Sequence, residues 1–263
     1  VVDAAAAQSA QAVGIADVNG FYGLIRFAAA AQQRGLKALY STALYDGEAY
    51  LCTLLCLNST GFAAANRILS RHIDSQNSPE SSYDPVEDLV ERGWPGLWVM
   101  STRIDVVERL RQRSTEGLYV GLMYGRPFSQ LRRWAERRGI RTLAFNDAVY
   151  LHTDDVSLYR IVRAIGRNQL VDSIPPAGGL SEAQRFVGAR EMHRFFSAVP
   201  EALQAAEEFA STAEGYRLPE TFYFPSFGSL SENDSFGRLR ALCMEGVHRR
   251  YVTGLQEPGP FAD

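Results

Sequence analysis

The sequence predicts an α/β fold whose strands are joined by helical crossovers, followed by a mainly helical extension. Three observations predict it. Short apolar, β-like runs alternate with helical patterns from the start of the chain to about Tyr150. The spacers between most runs are long enough for crossover helices, which implies parallel pairing and right-handed connections. After the linker-like run Ser173–Gly179 (SIPPAGG), strand patterns cease. An α/β barrel and a doubly wound sheet both fit this order, and pattern alone does not choose between them.

Taken in order, Ala12–Ala16 (AVGIA) reads as a buried strand with Asp17 at its C-terminal end. Phe21–Arg34 is an alanine-rich helix that Gly35 stops. Leu36–Tyr40 and Ala49–Leu55 are strands, and Phe62–His72 is a helix with a basic end. Ser75–Pro85 (SQNSPESSYDP) is polar and turn-rich, hence a surface loop. Then come a short helix at Val86–Glu91, a strand at Gly96–Met100, a helix at Ile104–Arg113 and a strand at Leu118–Leu122. Pro127–Arg138 is a strongly basic helix and Thr142–Phe145 a strand. Asp154–Ile165 is a helix whose acidic first turn suits the helix dipole. Beyond the linker, Ala189–Phe196, Glu201–Ala213 and Ser235–Tyr251 are helical, Leu218–Leu230 is an irregular aromatic segment, and Glu257–Asp263 is a loose tail.

Composition narrows the function. With 46% hydrophobic and 22% charged residues the chain is an ordinary globular sequence with material for a sizeable core. A net charge of −3 and a pI near 5.9 make it a poor nucleic-acid binder as a whole, since such affinity rests on neutralising phosphates. The three cysteines, Cys52, Cys56 and Cys243, lack the spacing of a disulfide framework or zinc knuckle. Cys52 and Cys56 lie in an apolar run and read as buried reduced thiols, consistent with the cytoplasm. No run approaches a membrane span, and the start lacks the basic region of a signal peptide. Glycine-rich phosphate loops and the GxSxG elbow are absent. The strongest basic patch is GRPFSQLRRWAERRGIR, with Arg126, Arg132, Arg133, Arg137, Arg138 and Arg141. It reads first as a solvated helix face. Arg132, Arg133, Arg137 and Arg138 are the candidates for phosphate contact, because guanidinium matches phosphate geometry.

Four passages carry a family resemblance. GIADVNGFYGLIRFAAAAQQRGLKALY is similar to the A-I-T-D-H-(small)-x-(F/Y)-G-A-V-R-F…G-I-K-P-I passage of bacterial DNA polymerase III alpha subunits, with Gly23, Arg26, Phe27, Gly35 and Lys37 in register. GFAAANRILSR resembles that family's G-Y-x-N-L-x-R-L-x-S helix. GIRTLAFNDAVYLHTDDVSLYRIVRAI resembles G-I-P-L-V-A-T-N-D-V-H-Y-L-x-P-E-D-A. REMHRFFSAVPEAL and LCMEGVHRRY resemble two phrases farther along. The order and spacing of all four agree. The resemblance implies an N-terminal PHP region: a distorted (β/α)7 barrel over residues 1–170, its first strand missing or truncated, then a helical extension over 171–263 leading toward a polymerase palm.

In this family a metal centre of His, Asp and Glu ligands lies at the C-terminal ends of the barrel strands, as in other α/β barrels. Position by position, the resemblance implies an eroded site here. The His-x-His motif of the first strand is not in this chain. The Asp-His motif reads Asp17-Val18, and the Gly-x-Glu motif reads Ser41-Thr42-Ala43. Asn-Asp-Val-His-Tyr reads Asn146-Asp147-Ala148-Val149-Tyr150, and a further family His corresponds to Tyr159. Asp17 and Asp147 remain, and His152 is the candidate replacement ligand. The histidines His72, His152, His193 and His248 are far apart in polar contexts; His152 reads as a solvated loop residue, and His193 and His248 as surface positions.

Metal-assisted phosphoester hydrolysis needs several converging ligands, so the expectation is no catalytic residue and no bound metal. The expected role is that of a non-catalytic PHP-like domain of a DNA polymerase III alpha subunit. It would act in replication as scaffold and docking surface for the remaining polymerase domains and a proofreading exonuclease, with DNA contact indirect. The alternatives are a metal-dependent phosphoesterase or 3′–5′ exonuclease using Zn, Mn or Mg, and a stand-alone adaptor. The palm aspartates that hold the polymerase's magnesium belong to a region beyond the passages matched, so the chain is not expected to polymerise DNA alone.

Overall fold

The computed structural model describes residues 1–77, 83–174, 182–217, 228 and 231–252. They fall into two compact units, Val1–Leu218 and Pro219–Asp263. The expected boundary at residue 170 falls inside the first unit. The aromatic segment 218–230, apart from Gly228, and the tail lie outside the described residues, as do residues 78–82 of the loop expected at 75–85.

The strands are β1 (Ala12–Val18), β2 (Lys37–Asp46), β3 (Ala49–Cys56), β4 (Leu97–Ser101), β5 (Leu118–Met123) and β6 (Arg141–Phe145). The helices of the first unit are α1 (Val2–Ala7), α2 (Leu24–Gln33), α3 (Ser59–Asn77), α4 (Pro85–Arg92), α5 (Ile104–Leu110), α6 (Ser129–Arg137), α7 (Val156–Arg167), α8 (Ala189–Phe195) and α9 (Pro200–Thr212). In the second unit α10 (Glu232–Val247) starts at Ser231, whose hydroxyl accepts the Asp234 N–H.

All six strands form one sheet in chain order. The order is that of a barrel wall, but the pairing corrects the all-parallel expectation. β1–β2, β4–β5 and β5–β6 are parallel, while β2–β3 and β3–β4 are antiparallel. The reason is local. β2 does not stop at Tyr40; it runs on to Asp46 and turns through Gly47-Glu48 directly into β3. Gly47 has φ 57°, the left-handed conformation that opens a tight two-residue hairpin loop. A hairpin this short leaves no room for a crossover helix, so β3 must run antiparallel.

One sheet face packs on α3–α6, burying Leu44, Cys52, Leu54, Val99, Val120 and Leu122 against Ile68, Leu89, Leu110 and Trp134. The other face buries Leu39, Leu55, Trp98, Tyr119 and Leu143 under Ala205 and Phe209 of α9. α1 and α2 close a third cluster on β1 through Val2, Ala5, Val13, Phe27 and Ala31. Burial pushes the Cys52 and Cys56 thiols up to about 12, so both stay protonated.

Helix ends follow sequence rules. Past α2, Gly35 (φ 68°) donates to Gln32 O at 3.1 Å and Leu36 N donates to Ala31 O at 2.9 Å, a Schellman stop. Lys37, at the start of β2, caps a distant helix: its Nζ donates to Ala210 O (2.8 Å), Ser211 O (3.2 Å) and Ala213 O (2.9 Å) at the end of α9. A cation on orphan carbonyls at a helix C-terminus is favoured by the dipole as well as by hydrogen bonding.

Candidate functional site

The C-terminal ends of the parallel strands form a mouth where the sequence places its candidate residues. β1 ends in Asp17-Val18, β2 in the stretch from Ala43 to Asp46, and β6 leads into Asn146-Asp147. In the β1–β2 register Asp17 lies opposite Thr42, and Val18 lies opposite Ala43. The two positions at which the resemblance implies a His and a Glu ligand are therefore cross-strand neighbours here, and both carry hydrocarbon side chains.

Asp17 turns its carboxylate to the loop that starts α2, accepting the Gly23 N–H at 2.6 Å. Asp147 accepts from Gln184 Nε2 at 3.0 Å. His152 is exposed, and its backbone N–H donates to Asp155 at 2.9 Å in the turn before α7. Tyr159 on α7 accepts from Arg163 at 2.9 Å and lies under that guanidinium, 5.8 Å from ring centroid to carbon. Val149 is 41% exposed. Among the described residues, no three His, Cys, Asp or Glu side chains form a group that could hold a metal ion.

The mouth also contains residues that sequence reasoning passed over. Tyr45 and Tyr50 face each other across the β2–β3 hairpin with ring centroids 5.4 Å apart. Tyr50 Oη donates to the Met100 carbonyl at 3.2 Å and lies 3.0 Å from the Thr53 hydroxyl. Burial raises the phenol pKa of both, and the Asp147 carboxylate adds to the effect. His72, in a polar sequence context, is 2% exposed on α3, with Nε2 2.8 Å from the Tyr45 carbonyl. The polar segment around His72 hid this, because α3 runs to Asn77 and tucks one imidazole beneath the hairpin. The signal that locates the tyrosines is Asp46-Gly47 between two apolar runs, a hairpin signature.

The arginine candidates separate into two sets. Arg132 pairs with Glu136 at 2.7 Å and Glu201 at 3.4 Å, and Arg138 pairs with Glu108 while lying over Trp134 at 4.9 Å. Arg133 donates to Ser129 O on its own helix at 3.2 Å. Arg133 and Arg137 are exposed. The face is thus partly neutralised by acids from α5, α6 and α9.

α7 has an unusual orientation. Its apolar positions Leu158, Ile161, Val162 and Ile165 fall on one stripe and are exposed, at 61%, 45%, 57% and 74%. Its less exposed side carries Tyr159, Arg160, Arg163 and Ala164. Arg160 donates to the carbonyls of Val171 and Ile174, at 3.1 and 3.0 Å. No helix among the described residues is long and apolar enough to cross a membrane.

The chain is similar in sequence to known bacterial polymerases. The DNA polymerase III subunit alpha of Xylella fastidiosa is 23% identical over 94% of the chain. That of Escherichia coli K12 is 25% identical over 89%. The error-prone DNA polymerase of Sinorhizobium medicae is 29% identical over 93%. In each case the chain spans 23% of the relative's length. The family model described as "PHP domain" matches residues 1–136, just over half of the 263. By its matched residues and its α/β sheet the chain belongs to the PHP domain family.

Proposed function

We propose that the chain is a non-catalytic PHP domain of a replicative polymerase of the DNA polymerase III alpha type, acting as scaffold and docking surface. The observation that carries the first half is the row Val18–Ala43. Neither side chain has a lone pair to offer a divalent ion. Asp17 is engaged by Gly23, Asp147 by Gln184, and Val149 replaces the later imidazole. These residues do not fit the family's metal centre. The docking half is supported by the exposed stripe on α7, because an amphipathic helix with its apolar side outward leaves burial free energy unclaimed until something covers it. The candidate occupants are the remaining polymerase domains and a proofreading subunit.

Metal analysis tests the first half. Elemental mass spectrometry of the purified chain, dialysed without chelator, is expected to find no stoichiometric Zn, Mn or Mg, and a chromogenic phosphodiester should not turn over with any of them added. One tightly held ion per chain, or metal-dependent turnover, overturns the reading and favours the phosphoesterase alternative.

A further inference from the structure

The top of β1 is tied to β2 by side chains. Asn19 follows β1 in a left-handed conformation, φ 49°. Its backbone N–H donates to the Ala43 carbonyl at 2.9 Å. Its side chain then embraces one peptide residue of β2: Nδ2 donates to Tyr45 O at 2.9 Å, and Oδ1 accepts the Tyr45 N–H at 2.8 Å. Tyr45 lies where the β2–β3 register shifts, a bulge that interrupts ladder pairing. An amide side chain offers one donor and one acceptor in the geometry of a strand's own peptide group, so it can substitute for the missing neighbour. Beside it, Gly20 N–H donates to Thr42 Oγ1 at 3.1 Å, and that hydroxyl donates to Asp17 O at 3.2 Å.

We propose that this clasp, centred on Asn19, replaces the cross-link that a metal bridging β1 and β2 would supply. A metal with ligands on two strands fixes their ends relative to each other. Here the same ends carry Val18 and Ala43, and Asn19, one residue on, fixes them with three hydrogen bonds instead. The mouth is preorganised without an ion. The proposal rests on the reading of the metal site as erased.

Asn19→Gly is the informative variant, because glycine keeps the left-handed backbone at no steric cost and removes only the amide. The expected result is a fall in Tm of about 4–8 °C, the size of two lost hydrogen bonds at a half-buried bulge. Hydrogen–deuterium exchange at the Tyr45 amide should speed up roughly tenfold or more relative to the β5 amides. Wild type and variant are run in parallel with EDTA, ZnCl2 and MnCl2, and none should move either Tm. An unchanged Tm in Asn19→Gly, or a lower one with Tyr45 exchange unaltered, overturns the clasp and leaves the erased-site reading to its own metal analysis. A wild-type Tm that rises with Zn or Mn overturns the erased site, and the clasp as its replacement.

Discussion

At the start of α4, Asp84 accepts the amide hydrogens of Val86 at 2.8 Å and Glu87 at 3.2 Å, with Pro85 in the first helical position. Arg109 of α5 reaches the same carboxylate at 2.6 Å. Burial alone pushes the Asp84 carboxyl up, but Arg109 and the two helix N–H groups outweigh it and hold the carboxyl below the ordinary aspartate range. A carboxyl lowered in the folded state adds stability above its unfolded pKa, and that stability is lost as pH falls through the folded value. Asp84→Ala should therefore cost about 1 kcal/mol at pH 7. In urea titrations the gap between wild type and variant should hold from neutral pH down to about 5 and narrow as pH falls below an aspartate reference near 3.9. A gap independent of pH would mean that the carboxylate charge plays no part. Pro85 and the helix after it were readable from the sequence. The capping role of Asp84 was obscured because it closes a polar run that reads as loop.

Among the elements, α3 shows how a small residue sets a packing distance. A Cβ on Gly61 would lie 1.8 Å from the carbonyl oxygen of Gly96, so the first turn of α3 touches the backbone entering β4. Gly96 itself has φ 71°, and its carbonyl accepts the Leu57 N–H at 2.9 Å. Gly61→Ala must move backbone rather than a flexible side chain, and about 3 kcal/mol or more of destabilisation is expected. Equilibrium denaturation measures it, and a loss below about 1 kcal/mol would show that α3 can slide. The GFAAAN passage contributed to the family resemblance, yet nothing in it announces the Gly61–Gly96 contact, because the two glycines are brought together only when α3 folds back over the sheet. The β2–β3 hairpin failed for the opposite reason. Its signal, Asp46-Gly47, was present, but counting spacers favoured crossovers, and a strand of ten residues was read as one of five.

On the scale of the whole molecule, the proposed docking role rests on the exposed apolar side of α7. Leu158→Glu combined with Ile165→Glu should change the unfolding free energy by less than about 1 kcal/mol, because both side chains already face water. The same pair should weaken binding to a palm-bearing alpha-subunit fragment that lacks this region by tenfold or more. Calorimetry on the two purified pieces checks it, and unaltered affinity would place the docking surface elsewhere.

The sequence by itself determined the α/β class, most element positions and the family. These follow from local periodicity, from glycine and proline at element ends, and from residue identity, none of which depends on what lies across the fold. The tertiary structure alone decided that β3 runs antiparallel, that residues 171–217 belong with the first compact unit, and that His72 is buried. It also decided which side of α7 faces out and that Asn19 reaches Tyr45. Each depends on contacts between residues far apart in the chain. Their free energies are set by burial and by hydrogen-bond partners that no local window contains.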